Sequence, residues 1–418
     1  TLLLALPFAR TEDISFIDLL FTATSCTCVT GLMTVPIESF STFGLCVIMG
    51  LLQIGGLGLM TLSLFVVSLF VNLGMATQVI AGEMLDLESW KDTRRIILFI
   101  IGMTAASELV GATLIFAAIK DAYPLSQALF YAVFHAISGF CNAGITLFPE
   151  SMVPFSNNIV MLLTMALLMF IGGFGFISWK ELFLHFRTAI THRKAQLSLQ
   201  TRVVLRYYGI LTAINTVGLW LLERTNVLSS MTITKQWCNA FFMAVSCRSG
   251  GYTTLHLQEL QNASLCIIMI NAFIGAAPGS TGSGIKLTTL AIIIAALRAV
   301  IGSRHTVNIK GRQIMTDQIY RALSIVTLSL IWITGTIFIL LITERGQDFL
   351  HIAFEAVSAF STLGASIGIT SSLSSIGKFL IASTMLIGRI GVITLLLALR
   401  KRTEHAGYSY PEERVMIT

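Results

Sequence analysis

The chain has 418 residues, of which 55% are hydrophobic and only 11% are charged, with a net charge of +6. Ordinary globular domains carry about 25% charged residues, so too few remain here to solvate a water-facing surface of this size. The composition therefore indicates a membrane protein in contact with the lipid bilayer, and it excludes a disordered chain, a fibre and a nucleic-acid-binding arm.

The seven cysteines lie mostly in apolar runs and form no CxxC pair. This favours packed thiols over a disulfide framework, and over a soft-metal site at Cys26 and Cys28. The first nine residues are apolar but lack a basic flank, so they do not resemble a signal peptide. Since a span needs about twenty residues, we interpret them as the end of a span that begins before the given sequence.

Apolar segments of two lengths follow along the chain. Segments 14–25 and 125–138 are too short to cross a bilayer and predict re-entrant half-helices. Pro124 suits the first turn of the second, while Thr11, Glu12 and Asp13 suit the start of the first. Seven segments are predicted to be spans: 39–82, 96–119 with Glu108, 151–179, 207–222, 260–285, 322–343 and 379–399 with Arg389.

An internal repeat aligns on one glycine in each of four copies. The copies read SCTCVTGL at 25–32, SGFCNAGI at 138–145, VSCRSGGY at 245–252 and SAFSTLGA at 358–365, with a phenylalanine ten residues before every aligned glycine. A second glycine signal follows each copy: IGGLG at 54–58, IGGFG at 171–175, IGAAPG at 274–279 and IGRIG at 387–391. We predict four units, at 1–90 with an incomplete first span, 91–195, 196–310 and 311–403, before a tail at 404–418.

The distribution of basic residues predicts the orientation of these units. Each unit should cross the membrane twice, so all four should face the same way. Eighteen of the 27 Lys and Arg residues lie in the joins between units and in the tail. Basic residues concentrate on the cytoplasmic side of membrane proteins. The joins and the tail are therefore predicted to be cytoplasmic, and the half-helices to enter the membrane from outside.

Four like-oriented half-helices would point their partially negative C-terminal ends at the membrane centre, which attracts a cation. The glycine-bearing segments after them could turn successive carbonyl groups inward and replace the hydration shell of an ion. These segments contain no acidic residue, which argues against a divalent cation. The glycines could instead serve only close helix packing, but four copies with matched phenylalanines favour an ion site. The candidate ion-binding residues are Val29, Thr30, Gly31, Asn142, Ala143, Gly144, Ser249, Gly250, Gly251, Thr362, Leu363 and Gly364.

The chain resembles the pore-forming subunits of the Trk/Ktr/HKT superfamily of potassium transporters, and it is most similar to the bacterial KtrB type. The markers are CVTGL at 28–32, CNAGI at 141–145, RSGGYTT at 248–254, APGSTGSGIK at 277–286, GRIG at 388–391 and YPEERVMI at 410–417. The resemblance covers the whole chain and implies an all-α polytopic membrane protein with four parallel span-pore helix-span repeats around one central pore. It also implies a filter whose four glycines, Gly31, Gly144, Gly251 and Gly364, suit potassium.

The same resemblance implies potassium uptake across a bacterial plasma membrane, with potassium as the transported ion, no bound cofactor and no enzymatic activity. Sodium is expected to stimulate uptake or to be co-transported, with channel-like flux as the alternative. KtrB-type subunits form homodimers and dock on a cytoplasmic ring of nucleotide-binding, RCK-type regulatory subunits. We expect both partners here, together with the lipid bilayer and no nucleic acid. The tail resembles that of the family, which packs at the dimer interface.

The third unit departs from the others because APGSTGSGIK interrupts its second apolar span, whereas the other units continue as apolar spans. Irregular backbone at membrane depth is buried in protein or lines water, and in the resembling family this loop is a gate beneath the filter. Little packing is expected to hold it; a static kink is the alternative. The candidate gate residues are Ala277, Pro278, Gly279, Ser280, Thr281, Gly282, Ser283, Gly284, Lys286 and Arg389, the last by its match to an arginine near the family's gate.

Other polar residues at membrane depth have several interpretations. Arg248 is either functional or structural, bonding carbonyl groups behind the third glycine-bearing segment. Lys286 could reach water or meet Glu108. His135 and His351 are interpreted as packed neutral residues.

Two other classes of protein fit the sequence less well. A substrate carrier with broken helices would show inverted repeats, whereas these repeats are parallel. A membrane enzyme would need clustered His, Asp or Cys at membrane depth. No Walker or GxGxxG motif follows a strand signal, so nucleotide binding is expected only on a partner.

Overall fold

The computed structural model describes residues 1–58, 90–190 and 196–391, which are helical apart from one hairpin and the connecting segments. The helices are α1 (Phe16–Cys28), α2 (Thr42–Leu57), α3 (Trp90–Ile119), α4 (Leu125–Cys141), α5 (Ile159–Gly173), α6 (Phe176–Ile190), α7 (Leu199–Glu223), α8 (Ile233–Ser246), α9 (Asn262–Phe273), α10 (Leu287–Ile301), α11 (Thr316–Thr343), α12 (Phe349–Ser361) and α13 (Ser375–Ile390). Strands β1 (Asn308–Ile309) and β2 (Arg312–Gln313) pair antiparallel. The predicted span residues 59–82 and 392–399, the join residues Arg193 and Lys194, and the tail at 404–418 lie outside the described residues.

The described helices agree with the predicted helical membrane protein. Ile97–Ile119 within α3 and Thr316–Thr343 are long and apolar enough to cross a bilayer. Large apolar side chains on them face outward, since Leu109 is 69% exposed and Phe338 is 64% exposed. Lipid solvates such surface, whereas the backbone polar groups are satisfied inside the helices.

Four short helices, α1, α4, α8 and α12, each end just before one of the candidate ion-binding segments. The half-helices expected at 14–25 and 125–138 are therefore confirmed as helices, and both run on to Cys28 and Cys141. The predicted start of the first was wrong. α1 begins at Phe16 because Ser15 caps it by accepting a hydrogen bond from the Asp18 N–H (3.3 Å). Pro124 stands at the N-cap of α4 and not in its first turn.

The short helices pack in a closed circle. α4 packs against α2, α8 against α5 and α12 against α9, so each contacts the helix that follows the short helix before it. The circle closes where α1 packs against α13. At this contact the Lys378 ammonium donates to Asp18 Oδ1 (2.6 Å), and both side chains are mostly buried.

A helix ends at the second glycine signal in every copy, which corrects the expectation that only the third span departs from a continuous helix. Gly58, Gly175 and Gly391 occupy the last position of the signal and have φ of 88°, 95° and 92°. A right-handed helix cannot continue through such angles, so α2 and α13 end there. At Gly175 the chain bends by 99° between α5 and α6, within the predicted span 151–179. In the third copy α9 ends at Phe273 and α10 resumes at Leu287.

Loss of the ion pair that closes the circle should destabilise the fold. Asp18→Asn leaves the mostly buried Lys378 ammonium without its charged partner, so we expect a loss of roughly 1.5–3 kcal/mol in unfolding free energy. Thermal unfolding in detergent checks this. Asp317→Asn is the control because the Asp317–Arg321 pair is exposed, and exposed pairs contribute about 0–1 kcal/mol. Equal melting temperatures for both variants would contradict the assignment.

Candidate ion-binding site

The four aligned glycines share a backbone conformation that other residues rarely adopt. Gly31, Gly144, Gly251 and Gly364 have φ of 101°, 68°, 73° and 87°. L-residues are disfavoured at these angles because Cβ crowds the backbone, whereas glycine adopts them freely. The glycines therefore let the chain turn out of each short helix and continue in an extended path.

These glycines also form a ring, which we call the glycine ring. The space where a Cβ would stand on each glycine faces the backbone of the next copy in chain order. The glycine of the fourth copy faces the backbone of the first. Each missing Cβ would thus overlap or crowd a carbonyl oxygen from the residue that precedes the neighbouring glycine. The pairs are Gly31 with Ala143, Gly144 with Gly250, Gly251 with Leu363 and Gly364 with Thr30. These contacts bring together eight of the twelve predicted ion-binding residues: Thr30, Gly31, Ala143, Gly144, Gly250, Gly251, Leu363 and Gly364.

A serine in each short helix positions the segment that follows. The Gly31 N–H donates to Ser25 Oγ (3.0 Å), and the Gly364 N–H donates to Ser358 Oγ (3.1 Å). Ser358 and Ser138 each donate to the carbonyl of the residue after the glycine, over 2.6 and 2.7 Å. One hydroxyl thus fixes both sides of the turn at the glycine.

The third copy reaches the same arrangement by a different register. Its serine, Ser246, lies five residues before the glycine instead of six, and it donates to the Tyr252 carbonyl (2.7 Å). In the other copies the residue two before the glycine is left-handed: Val29, Asn142 and Thr362 have φ of 56°, 59° and 49°. Ser249, at that position in the third copy, is not among the positive-φ residues. With one residue fewer between the serine and the glycine, the third copy has no left-handed residue two positions before the glycine. Its serine still bonds the carbonyl of the residue after the glycine.

A cavity of about 340 Å³ opens beside the ring on the side where the chain leaves it. Gly144, Gly251 and Gly364 all line it, so the cavity reaches the ring directly. Glu150 and Gln258 are among the polar residues on its wall. The cavity beside the ring is therefore lined by one carboxyl and one amide side chain among its polar groups.

The 277–286 loop lies against the candidate ion-binding segments. Asn142 donates through Nδ2 to Thr281 Oγ1 (2.7 Å), and the Ser283 N–H donates to Ser249 Oγ (3.3 Å). Thr281 and Ser283 are almost completely buried. The predicted filter and gate residues are therefore in direct contact.

The expectation that little packing holds this loop was wrong. The Ala277 and Thr281 N–H groups donate to the carbonyls of Gly173 and Gly172 (3.1 and 3.0 Å), and the Phe176 N–H donates to the Gly279 carbonyl (2.8 Å). The break between α5 and α6 leaves these backbone groups without partners inside a helix. The loop supplies their hydrogen-bond partners. Composition alone hid this because backbone groups make these three contacts, and composition does not show where backbone groups lie.

Arg389 joins the loop to the first copy. Its guanidinium donates to the Thr281 carbonyl and to Ser283 Oγ (3.1 Å), and also to the Gly55 carbonyl at the end of α2. Lys286 donates to the Gly282 carbonyl (2.7 Å), so its partner is the loop itself and not Glu108. Both cations at membrane depth are thus bound by carbonyl oxygens.

Arg248 does not bond carbonyl groups behind the third segment. Its guanidinium carbon lies 4.1 Å from the centre of the Tyr208 ring, and Nη2 donates to Thr212 Oγ1 (3.1 Å). The side chain is 2% exposed, so it attaches the end of α8 to α7 through cation–π contact and one hydrogen bond.

The two histidines have different surroundings. His135 is buried and stacks on Phe148, with Nδ1 2.7 Å from the Tyr131 carbonyl and Nε2 accepting from the Leu147 N–H (3.2 Å). These contacts fit a neutral packed ring. His351 is half-buried.

Sequence reasoning missed Glu355, which occupies in α12 the position that His135 occupies in α4, nine residues before the glycine. Glu355 is fully buried and accepts hydrogen bonds from Ser366 Oγ (2.7 Å) and Thr370 Oγ1 (2.5 Å). It therefore fixes the segment that leaves the ring in the fourth copy. The signal was present as the one acidic residue within the apolar run FLHIAFEAVSAFS.

The apolar helices and the ring of backbone groups at their centre define a polytopic helical membrane protein. The sequence matches the profile of the TrkH family, cation transport protein, over residues 3–409. The chain belongs to this family, and it is an ion transporter and not an enzyme.

Similar proteins cover almost the whole chain. Ktr system potassium uptake protein B of Vibrio alginolyticus is 35% identical over 99% of this chain and 90% of its own length. Potassium/sodium uptake protein NtpJ of Enterococcus hirae is 33% identical over 99% of this chain and 93% of its own length. The crystal structure of the potassium transporter TrkH from Vibrio parahaemolyticus matches with a TM-score of 0.72 at 18% identity, over 93% of this chain and 79% of that chain, and it shows the shared fold.

A methyl group in the glycine ring should destabilise the protein. Gly364→Ala places Cβ on the Thr30 carbonyl, and the left-handed backbone alone costs roughly 1–2 kcal/mol. Gly335→Ala is the matched control because its Cβ would stand in open space within α11, where alanine stabilises a helix by about 1 kcal/mol. We expect the apparent melting temperature in detergent to fall for Gly364→Ala and to stay equal or rise for Gly335→Ala. Unchanged stability of Gly364→Ala would mean that the ring is looser than described.

Proposed function

We propose that this chain is the pore-forming subunit of a Ktr-type system that carries potassium into the cell across the bacterial plasma membrane. The glycine ring supports this best, because four separate parts of the chain bring backbone groups to one centre. The units at 1–90, 91–195, 196–310 and 311–403 would each contribute a span, a short pore helix and a second span. The twelve candidate residues, from Val29 to Gly364, would line the ion path.

The chemistry of the ring suits a monovalent cation. The C-terminal ends of α1, α4 and α12 precede the ring, and helix C-termini carry a partial negative charge. The segments contain carbonyl and hydroxyl oxygens and no carboxylate, so they can replace a hydration shell without holding the ion too tightly to release it. The names of similar proteins from Vibrio alginolyticus and Enterococcus hirae, potassium uptake and potassium/sodium uptake, support the same ions. Sodium would stimulate potassium uptake or accompany it.

The 277–286 loop and Arg389 would form the gate. A positive guanidinium beside the path raises a barrier to cations, and its bonds hold the loop against the ring. Opening would break the Arg389 bonds to the Thr281 carbonyl and Ser283 Oγ and the Asn142–Thr281 bond, at a cost on the order of 5 kcal/mol. A partner that binds the open state about ten-thousandfold more tightly supplies about that amount.

The joins between units would face the cytoplasm, where a ring of nucleotide-binding, RCK-type regulatory subunits would dock on a homodimer of this chain. The placement of basic residues in the joins supports this orientation. The regulatory subunits, and not this chain, would bind nucleotide. The tail at 404–418 would pack at the dimer interface.

Replacement of the first ring glycine should lower ion selectivity. Gly31→Ser resists the backbone angle of 101° and would overlap the Ala143 carbonyl, so one of four coordinating segments should shift. In a potassium-uptake-deficient bacterial strain, wild type should restore potassium uptake, and the variant should lose most of its preference for potassium over sodium. Gly50→Ser is the control because its side chain would enter open space. Wild-type discrimination by Gly31→Ser would exclude Gly31 from the filter, and no uptake by wild type would contradict the function itself.

Removal of the gate should make uptake independent of the regulatory subunit. Deleting residues 279–284 removes the barrier and leaves the glycine ring in place, so potassium uptake without the partner should rise several-fold at matched expression. Arg389→Ala should act in the same direction by removing the positive charge, whereas Arg345→Ala, at an exposed site, should not. If both gate variants fold and transport no faster than wild type, the loop is a static kink.

A further inference from the structure

A basic pocket lies between α7, α10 and the β1–β2 hairpin, away from the glycine ring. Its volume is about 320 Å³, within the range of small-molecule sites. Arg206, Arg298, Arg304 and Lys310 line it. The other lining residues are aromatic, neutral polar, small or aliphatic, and none of the described lining residues is acidic. Among the described side chains, these four cations make no salt bridge. Four unpaired cations around one cavity favour an anion.

The pocket is built by regular features of its three elements. Ala295, Ala299 and Gly302 lie on one face of α10 and its end, and their small size leaves the space open. The N–H groups of Gly302, Ser303 and Arg304 bond three of the last carbonyls of α10. Arg298 and Arg304 oppose the partial negative charge that remains at this helix end. Lys310 stands in the hairpin turn with φ of 47°, next to Gly311, and reaches the same cavity.

Exposed apolar side chains continue from the basic residues. Val300 and Ile301 are each 76% exposed and directly precede Gly302 of the pocket. Leu297 and Leu205, which neighbour Arg298 and Arg206 in the chain, are also exposed. A free phosphate would use only the cations, whereas a phospholipid has a phosphate for the cations and acyl chains for the apolar surface beside them.

We propose that this pocket binds the phosphate headgroup of an anionic phospholipid from the cytoplasmic leaflet. The assignment to the cytoplasmic leaflet rests on the orientation given in the proposed function. The binding of a phosphate group by the four cations does not rest on it. The four cations hold the headgroup, while Val300, Ile301 and Leu297 contact its acyl chains. Since Val203, Arg206 and Tyr207 of α7 also line the pocket, the lipid connects α7 to the end of α10, which is the helix that follows the 277–286 loop.

Lipid titration of the full chain in mild detergent, followed by native mass spectrometry, tests this. The variant is Arg298→Gln/Arg304→Gln, and Arg321→Gln is the matched control because Arg321 is a basic residue of the same join outside the pocket. Each Lys or Arg near the phosphate strengthens binding about fivefold, so the double variant should bind phosphatidylglycerol roughly 25-fold more weakly than wild type. Arg321→Gln should bind it as wild type does, and phosphatidylcholine should bind weakly to all three proteins.

Three results would overturn the proposal. Equal phosphatidylglycerol affinity of wild type and the double variant would exclude the pocket. Tight binding of inorganic phosphate that displaces the lipid would make it a free-phosphate site. Conversion of the double variant from dimer to monomer, with lipid binding unchanged, would show that a second copy covers this surface. Potassium uptake by the same proteins, reconstituted in liposomes together with the regulatory subunits, separates the two hypotheses. Absent uptake in every such preparation would contradict the proposed function and leave the lipid result valid.

Discussion

The candidate ion path depends on backbone meeting backbone with no side chain between. At Gly31, Gly251 and Gly364 a carbonyl from the next copy occupies the place of a Cβ, and at Gly144 it crowds that place, so glycine allows the circle to close. The circle in turn fixes where the short helices end and how they pack against their neighbours. A circle of this kind cannot be built from one copy, because each glycine finds its contact in another part of the chain.

The 277–286 loop shows how irregular backbone is stabilised at membrane depth. A helix satisfies its own N–H and carbonyl groups, so every break creates groups that need other partners. Here the backbone groups freed by the break after α5 and those freed by the break after α9 form hydrogen bonds with each other. Arg389 donates to carbonyls at the end of α2 and in the loop. The loop is therefore held by groups of the second, third and fourth copies, and Arg389 links it to the first copy. A gate of this construction would respond to movement of any of them, which suits control by a partner that docks far from the ring.

The copies share a geometry that they reach with different residues. Ser25, Ser138 and Ser358 stand six residues before their glycines, while Ser246 stands five before and its helix ends without a left-handed residue. Behind the segments that leave the ring, His135 and Glu355 occupy equivalent positions and bond different partners. The backbone of the ring is thus common to all copies, and the side chains that support it are specific to each.

The sequence by itself determined that this is a membrane protein with four similar glycine-bearing segments, because composition and a repeated glycine pattern are properties of the chain alone. It located α1 and α4, two of the four short helices, within three residues at their C-terminal ends, since apolar length and turn residues are local signals. It missed the helix ends at Gly58 and Gly391 and the bend at Gly175, because a glycine in an apolar run is also compatible with a continuous helix. It also missed the partners of Arg389, Lys286 and Glu355. Only the tertiary structure decides these, because each partner is a backbone or hydroxyl group whose position depends on how distant segments meet.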